Sequence, residues 1–393
     1  MQQADSEGDL PIMKVMTIAG TRPEWIRQAC IIQSLDAVVE HRLVHTGQNY
    51  DYELSQVFFD DLGIRRPDHF LEAAGGRSAQ TIANVIAATD TLFVEHRPDA
   101  VVLLGDTDSC FSAISARKNG IPVFHLEAGN RSFDLNVPEE VNRRIIDHTA
   151  DFNLCYTEHA RRNLLQEGLP ARRVLLIGSP MRELLTRYEP QIQSSRILDT
   201  LGLERGQYYV ASFHRQETVD YEQPLTAVVS SLEALAEKTG LPVIVSTHPR
   251  TRERLAQANT PSSSQWLRFM KPFGFFDYVA LQQHSRCVIS DSGTISEEAS
   301  MLGFAAVTMR NSMERPEALE GGNVVICGVE SGALLDCVEH VARLQERGEP
   351  APLPPAEYEI RNTSERVLRL VLGLTGLARR WQGLNEWSSG RSP

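Results

Sequence analysis

The feature that most constrains the fold is a regular alternation of short apolar runs with amphipathic segments of helix length, which begins at Lys14. This alternation is typical of parallel strands joined by crossover helices, so it predicts an α/β protein. In the first half, strands are predicted at residues 14–19, 41–46, 100–104, 122–126, 152–155 and 174–177. The pattern begins again in the second half, with strands predicted at residues 208–213, 242–247, 267–270, 287–290, 305–309 and 323–327. Two Rossmann-like domains are therefore expected.

The chain length agrees with two domains, because 393 residues exceed the ~250–300 residues at which a single hydrophobic core stops growing. A polar stretch at residues 181–203 precedes the second set of strands and is interpreted as the linker. A proline-rich stretch at 349–359 cannot continue a helix, and the helical pattern that follows it is expected to return to the first domain. The predicted divisions are 1–185, 186–363 and a C-terminal helical segment at 364–393.

Composition excludes several classes of protein. Hydrophobic residues make up 42% and charged residues 23%, as in ordinary globular proteins. The formal net charge of −12 argues against nucleic acid as a partner, because proteins that bind a phosphate backbone carry basic patches. No apolar run approaches the ~20 residues that a membrane helix needs, and the first thirteen residues lack an apolar signal segment. A cytoplasmic protein that does not enter the membrane is expected.

No sequence motif for a cofactor or a metal is found. The chain has neither a GxGxxG fingerprint after its first strand nor a phosphate-binding P-loop, which disfavours hydride and phosphoryl transfer. The histidines predicted at strand ends, His125, His214 and His248, lack metal-ligand spacing. The six cysteines show no CxxC spacing and are interpreted as mostly buried free thiols. We therefore expect no cofactor and no metal.

The first predicted strand ends in a glycine turn that suits an anion. Gly20 is followed by Thr21 and Arg22 at the start of a predicted helix, and Arg27 lies one turn further along it. Backbone N–H groups at a helix start and a guanidinium can share a phosphate. The alternative is an ordinary turn with solvated arginines, since many such turns bind no phosphate.

Acidic side chains follow two other predicted strands of the first half. Asp106 comes after strand 100–104 and Glu127 after strand 122–126, so both are expected in the crevice at the carboxyl ends of the strands. A carboxylate buried there is costly unless it is paired or used. Glu139 stands at a predicted helix start, with Arg143 close behind. For Glu139 the alternative is a solvated glutamate in the first turn of a helix.

The second half places polar groups at equivalent strand ends. His214 follows the first strand of this half, and a Ser292-Gly293 turn follows the strand at 287–290 and precedes an amphipathic helix. The N–H groups of that turn could hold a diphosphate. Arg315 adds a positive charge at the same edge. The alternative for these charges is a cluster of surface ion pairs.

Taken in order over residues 20–318, the motifs resemble those of the non-hydrolysing UDP-N-acetylglucosamine 2-epimerase family: GTRPEWIR, LGDTDS, HLEAGNR, PEEVNRR, SFHRQE, SDSGTISEE and MERPEA. The resemblance implies a fold of the glycosyltransferase-B type. It also implies a UDP-sugar substrate, with the nucleotide held mainly by the second domain and the sugar facing the first across a closing cleft. A homodimer is a further implication.

The resemblance assigns roles to individual positions. It places the acid/base carboxylates at Asp106, Glu127 and Glu139, and the cleft histidine at His214. Contacts to the diphosphate and nucleotide fall on Arg22, Arg27, Arg143, Ser292, Gly293, Glu298 and Arg315. Two positions depart from the family pattern. Arg27 stands where many members have lysine, and Thr294 stands where the second glycine of a Ser-Gly-Gly turn is common, which puts a close backbone approach to phosphate in doubt.

One branch of the family is more similar still, through HTGQNYDYEL, DLGIRRPDHFLEAAG, GSPM and VSTHPRTR. These segments are similar to those of enzymes that make UDP-N-acetyl-L-fucosamine from the L-talo sugar nucleotide for capsule or O-antigen. Gln48-Asn49-Tyr50-Asp51 stands where bacterial members acting on UDP-N-acetylglucosamine often have Gln-His-Arg, which helps to hold a second, activating substrate molecule. Without a fixed positive charge there, a weak or absent allosteric site is expected.

The chemistry implied is elimination of UDP with loss of the C2 proton, which gives a 2-acetamidoglycal, followed by re-addition of UDP and of a proton to the opposite face. Carboxylates serve C2, and cations neutralise the departing diphosphate. How Asp106, Glu127 and Glu139 divide the work stays open. The alternatives are a UDP-N-acetylglucosamine/UDP-N-acetylmannosamine 2-epimerase, a hydrolysing epimerase, a glycosyltransferase of the same fold and a catalytically silent sensor of sugar nucleotides.

Overall fold

The structure is a computed structural model that describes residues 12–47, 59–257, 264–328, 331–347 and 350–381. Within these ranges the first half forms a seven-stranded parallel sheet with the order β3-β2-β1-β4-β5-β6-β7. Its strands are β1 (Lys14–Ala19), β2 (Glu40–His45), β3 (His69–Phe70), β4 (Ala100–Leu104), β5 (Val123–Leu126), β6 (Phe152–Cys155) and β7 (Val174–Leu176). The strand order reverses direction between β1 and β4, which is where a doubly wound sheet opens its ligand crevice.

Helices connect these strands and cover both faces of the sheet. They are α1 (Arg22–Asp36), α2 (Ser78–His96), α3 (Ser112–Lys118), α4 (Pro138–Thr149) and α5 (Glu158–Gln166). β1, β4 and β5 are almost entirely buried and mostly apolar, as expected of a parallel sheet with helices on both sides. The carboxyl ends of β1, β4 and β5 therefore bring Arg22, Asp106 and Glu127 to one edge of the sheet.

The segment at 181–203, interpreted as a polar linker, is mostly helical. It forms α6 (Pro180–Arg187), α7 (Glu189–Gln193) and α8 (Ile197–Leu201). Ser179 caps α6 by accepting a hydrogen bond from the Met181 N–H at 3.1 Å, and Pro180 occupies the first turn, where no N–H is needed. Buried apolar side chains recur at helical spacing among the polar letters, at Met181, Leu184, Leu185, Tyr188 and Ile192. The crossing between the two sheets is therefore packed into the core.

The second half forms a six-stranded parallel sheet in the described residues, with the order β10-β9-β8-β11-β12-β13. Its strands are β8 (Tyr209–Ser212), β9 (Val243–Ser246), β10 (Leu267–Met270), β11 (Cys287–Ser290), β12 (Ala306–Thr308) and β13 (Val325–Ile326). The connecting helices are α9 (Gln216–Val219), α10 (Glu222–Thr239), α11 (Pro249–Gln257), α12 (Phe275–His284), α13 (Ile295–Leu302), α14 (Pro316–Glu320) and α15 (Ser331–Glu346). The expected α/β class with two parallel sheets is confirmed.

The last helix, α16 (Thr363–Trp381), packs against the first sheet. Its buried residues Val367, Val371 and Ala378 share one apolar cluster with Val15 of β1 and Leu35 of α1. The chain thus crosses between the two sheets a second time after α15. The domain boundaries at 185/186 and 363/364 stay predictions.

Differences from the expected strands lie at their ends and at the sheet edges. β3 was not predicted, because a two-residue edge strand carries no hydrophobic periodicity. β13 has two residues, where residues 323–327 were expected, because the backbone N–H groups of Asn323 and Val324 donate to the Ala318 carbonyl at 2.9 and 3.3 Å instead of pairing in the sheet. Four cysteines, Cys30, Cys110, Cys155 and Cys287, are buried free thiols, as interpreted from the sequence. None of the helices in the described ranges combines the length and apolar character of a membrane span.

Candidate active site

Asp106 lies directly beyond β4 and is held by α4. Its carboxylate accepts a hydrogen bond from Arg143 Nε at 2.7 Å, and its main-chain carbonyl accepts one from Asn142 Nδ2 at 2.8 Å. Burial raises the pKa of Asp106; Arg143 opposes this, whereas the charges of Glu127 and Glu139 add to it. A raised pKa favours the protonated form of a carboxyl group, which is the form that an acid catalyst needs.

Glu127 follows β5 in a left-handed backbone conformation, with φ of 63°. Its carboxylate accepts hydrogen bonds from Arg27 and from Arg315 Nη2, the latter at 2.6 Å. Although burial favours protonation, the two arginines hold the pKa of Glu127 below its usual value. A Cβ atom on Gly105 would lie 3.9 Å from Glu127 Oε2, so Glu127 reaches the turn that carries Asp106. Two neighbouring acids with opposite pKa shifts are typical of acid/base pairs.

A cluster of alternating charges joins the two halves of the molecule beside Glu127. Arg27 of α1 and Arg315, which precedes α14, each lie 3.1 Å from Glu297 Oε2 of α13. Ser179 also donates a hydrogen bond to Glu297. Burying these groups is tolerable because each charge faces an opposite one. Glu297 was not singled out in the sequence, where Ser-Glu-Glu is typical of any helix start.

Glu139 and Glu140 are adjacent on α4 but differ in surroundings. Glu140 is fully buried, accepts a hydrogen bond from the Ser132 N–H at 2.9 Å and lies 3.4 Å from Arg143 Nη1, so its role is to hold the loop before α4. Glu139 is partly exposed and near enough to Asp106 to raise its pKa. Glu139 therefore lies with the other two predicted acids.

The turn after β1 differs from the anion site expected there. The N–H groups of Gly20 and Thr21 donate to Glu24 Oε2 at 3.0 and 2.7 Å, which is a capping arrangement at the start of α1. These two groups are thus already used and do not hold a phosphate, so the expectation was wrong for them. Arg22 donates to the Phe273 carbonyl of the second half at 2.8 Å, so its guanidinium lies between the two sheets as expected.

His214 lies at the carboxyl edge of the second sheet, just beyond β8. Its N–H donates to both oxygens of the buried Asp291, at 3.1 and 3.0 Å, and its half-exposed ring lies 6.0 Å from the ring of His248. Next to it, Arg215 Nη2 donates to Glu314 Oε1 at 3.1 Å. Glu314 is also 3.6 Å from Arg143 Nη2, which connects this edge to Asp106.

The Ser292-Gly293 turn begins α13. The Gly293 carbonyl accepts a hydrogen bond from Arg315 Nη1 at 3.0 Å, and a Cβ atom on Gly293 would lie only 2.9 Å from that nitrogen. A side chain at this position would therefore have to displace the Arg315 guanidinium. Thr294 has φ of −72°, a right-handed helical value that any residue adopts, and its hydroxyl lies 3.0 Å from that of Ser292. The glycine common at this position is thus not needed for backbone conformation here.

Glu298 is buried on α13, and its Oε2 accepts a hydrogen bond from Gln282 Nε2 at 2.7 Å. Burial raises the pKa of Glu298. The contacts above place Asp106, Glu127, Arg27, Arg143 and Arg315 in one connected group, with His214, Ser292 and Gly293 at its border. Among the described residues, no group of three or more His, Cys, Asp or Glu side chains is arranged to hold a metal ion.

Comparison with known proteins identifies one family of sequences and structures that resemble this chain. A family model described as UDP-N-acetylglucosamine 2-epimerase matches residues 33–372. The UDP-N-acetylglucosamine 2-epimerase structure from Rickettsia bellii is 42% identical, with a TM-score of 0.88 over 95% of this chain and 100% of that chain. The Methanocaldococcus jannaschii structure in complex with UDP-GlcNAc and UDP is 28% identical, with a TM-score of 0.86 over 92% and 99%. The expected glycosyltransferase-B-type arrangement is confirmed.

A relative named for another substrate also resembles this chain. The UDP-2,3-diacetamido-2,3-dideoxy-D-glucuronate 2-epimerase of Pseudomonas aeruginosa is 31% identical over 338 residues, which cover 84% of this chain and 92% of that protein. Proteins named for two different sugar nucleotides thus resemble this chain.

Proposed function

Since the chain belongs to the UDP-N-acetylglucosamine 2-epimerase family, we propose that it inverts the configuration at C2 of a UDP-activated N-acetylhexosamine without a cofactor. The observation that carries this proposal is the pair of neighbouring carboxyl groups, Asp106 and Glu127, whose pKa values shift in opposite directions. Arginines from both halves of the molecule lie beside them. An epimerase that eliminates and re-adds UDP needs both features.

The acids supply the two proton transfers. The C2–H bond breaks as a carboxylate takes the proton, the electron pair forms the C1=C2 double bond, and the C1–O bond to UDP breaks. Return of UDP to C1 and of a proton to the other face of C2 completes the inversion. In one direction of the reaction, Glu127 acts as the base, because its lowered pKa favours the ionised form. Asp106 delivers the proton, because its raised pKa favours the protonated form. Glu139 supports Asp106.

The cations stabilise the departing diphosphate. Arg27 and Arg315 are the groups best placed to do so, with Arg22, His214 and the Ser292-Gly293 turn at the edge of the same region. Arg27 and Arg315 pair with Glu127, so a diphosphate that binds these arginines takes the place of the Glu127 carboxylate. Release from the arginines raises the basicity of Glu127 at the moment it is needed. Arg143 holds Asp106 in place through its hydrogen bond to the carboxylate. Glu298 contacts the nucleotide.

Epimerisation in heavy water tests the mechanism. We expect the epimerised product to carry deuterium at C2, observed by NMR, and the reaction to proceed with no added NAD or metal. Retention of the original C2 proton, or a requirement for NAD, would exclude the elimination route. Release of free sugar and UDP would indicate a hydrolysing epimerase, and sugar transfer to an acceptor would indicate a glycosyltransferase. Binding of UDP-sugar with no exchange at C2 would leave only a sensor.

For the product, we propose UDP-N-acetyl-L-fucosamine, made for capsule or O-antigen. The support is the similarity of the segments around Gln48, Gly178–Met181 and 245–252 to that branch. Residues 48–51 lie outside the described residues. Interconversion of UDP-N-acetylglucosamine and UDP-N-acetylmannosamine is equally consistent with the comparisons.

Turnover of a panel of UDP-N-acetylhexosamines separates the two products. We expect hyperbolic kinetics and a higher kcat/KM for a UDP-2-acetamido-2,6-dideoxy-L-hexose than for UDP-N-acetylglucosamine. Sigmoidal kinetics together with a preference for UDP-N-acetylglucosamine would assign the chain to the general epimerases. We also propose a cytoplasmic homodimer, which light scattering of the purified protein and fractionation of cells would test.

A further inference from the structure

His125 connects the two strand ends that carry the acids. It lies on β5, is 1% exposed and has a partner at each ring nitrogen. Its Nε2 lies 2.7 Å from the carbonyl oxygen of Gly105, the residue before Asp106. Its Nδ1 lies 2.9 Å from Asp147 Oδ1 on α4. One side chain therefore contacts both the Asp106 turn and the helix behind the Glu127 loop.

The two partners determine the protonation state of the ring. A backbone carbonyl can only accept a hydrogen bond, and so can an ionised carboxylate. The other oxygen of Asp147 accepts hydrogen bonds from Arg131 Nη1 at 2.7 Å and from the Gly129 N–H at 3.2 Å, so the side chain faces donors on both sides. Both nitrogens of His125 therefore face acceptors, which is the arrangement that suits an imidazolium. Although burial disfavours that charge, the hydrogen bond to Asp147 raises the pKa of His125.

Asp147 connects His125 to the loop that bears Glu127. Its contact with Gly129 fixes the backbone two residues after Glu127, and Arg131 donates in turn to the Asn130 carbonyl at 2.8 Å. From the other side, Asn163 Nδ2 donates to the Gly129 carbonyl at 3.0 Å. This support is needed, because a glutamate at φ of 63° is in a conformation that costs about 1–2 kcal/mol. Packing around the loop must hold it there.

We propose that His125 is a positioning residue of the acid pair: as an imidazolium between the Gly105 carbonyl and Asp147, it fixes the distance between Asp106 and Glu127. The proposal rests on the proposed function, because it assigns the effect to those two acids. Protons must pass between each acid and C2, and a displacement of about 1 Å at such a site can cost ~100-fold in rate. His125 itself does not contact substrate in this scheme.

Two variants and a matched control test the role by kinetics. In His125→Gln and His125→Asn, an amide replaces one of the two donors, and we expect kcat to fall ~10- to 100-fold with KM for the UDP-sugar and affinity for UDP unchanged. The control is His41→Gln. His41 is also buried in the first sheet and also has two partners, Asp36 and Thr17, each at 2.8 Å, but it is far from the acids in the strand order. Its kcat should equal that of wild type.

A spectroscopic measurement on the wild type adds a readout that is independent of kcat. In protein labelled with nitrogen-15 histidine, one imidazole should keep protons on both nitrogens at about pH 8, above the ordinary titration range of histidine. Absence of this signal in His125→Gln or His125→Asn assigns it. A singly protonated His125 ring overturns the proposal, and so does a wild-type kcat in a folded His125→Gln protein. Wild-type protein without epimerase activity would instead overturn the proposed function.

Discussion

Arg315 and Glu127 lie in different halves of the chain, yet Arg315 Nη2 is 2.6 Å from Glu127 Oε1. Arg315 also lies 3.1 Å from Glu297 Oε2, and Arg27 contacts the same two carboxylates. Two acids and two arginines thus balance one another with almost no exposure to solvent. This arrangement links the two halves of the molecule.

Removing one of these arginines should destabilise the protein. Arg315→Gln leaves Glu127 and Glu297 buried with a single cation, and we expect the free energy of unfolding to fall by about 3 kcal/mol, as for other buried ion pairs that lose a partner. Denaturant titration measures the change. Arg369→Gln is the control, because its pair with Glu365 is exposed and should contribute no more than about 0.5 kcal/mol. Equal effects of the two substitutions would contradict a buried cluster.

The acids should be required for turnover but not for folding. We expect Asp106→Asn, Glu127→Gln and His214→Ala each to lower kcat by at least ~100-fold, the low end for loss of a placed acid, base or charge-stabilising group. Affinity for UDP should largely survive in the two acid variants. Asp108→Asn is a control for loss of a nearby carboxylate, since Asp108 bonds to Ser78 at 3.0 Å at the surface. Near-normal kcat in the folded acid variants would place the chemistry elsewhere.

The Glu127 loop should tolerate no side chain at Gly129. Gly129 and Gly168 both have φ of 87°, but a Cβ atom on Gly129 would lie 2.2 Å from the Ala160 carbonyl oxygen, whereas one on Gly168 would meet nothing within 4 Å. Gly168→Ala should cost about 1–2 kcal/mol of backbone strain, with kcat unchanged. Gly129→Ala should cost about 1–3 kcal/mol more from the clash, and it should lower kcat by displacing Glu127. Equal melting temperatures for the two variants would refute this.

Stability should depend on pH through His45. Its ring is 3% exposed, stacks between Trp25 and Phe70, and accepts a hydrogen bond from the Gly47 N–H at 2.9 Å. Burial lowers the pKa of His45 from 6.5 to about 4. Between these values the unfolded chain binds a proton that the folded protein does not, so stability is lost as the pH falls from 6.5 toward 4. This shift corresponds to about 3 kcal/mol.

Substitution of His45 measures that contribution. We expect the unfolding free energy of His45→Phe to decline less than that of wild type between pH 6.5 and about 4, because phenylalanine retains the stacking but cannot titrate. The exposed His340, replaced by glutamine, should give a curve parallel to wild type. A parallel curve for His45→Phe would show that His45 is not the group responsible.

The strands and the acids that follow them could be predicted from the sequence because their signal is local. Apolar runs such as 100–104 and 122–126 stand out, and a carboxylate after each of them must reach the carboxyl edge of a parallel sheet. The same rule correctly brought Arg22 to the space between the sheets. The N–H groups of Gly20 and Thr21 were misassigned because Glu24, three residues after Thr21, takes them for itself.

Long-range partners give no such signal. Glu297 contacts Arg27 across 270 residues of chain, and His125 finds Asp147 on a helix whose residues could face several ways. The helices of residues 181–203 were missed because their apolar positions are spaced three and four apart among many polar ones. In each case the local sequence is compatible with several partners or conformations, and only the tertiary structure selects one of them.

The return of α16 to the first sheet determines when that sheet can be completed during synthesis. Val367, Val371 and Ala378 cover apolar side chains of β1, β4, β5 and β6, which leave the ribosome about 210 to 350 residues earlier. The second sheet ends at Ile326 and can assemble while that surface is still uncovered. Chaperones that recognise apolar surface should therefore bind nascent chains at the first half until Thr363–Trp381 has emerged, and a chain stopped before α16 should aggregate through that face.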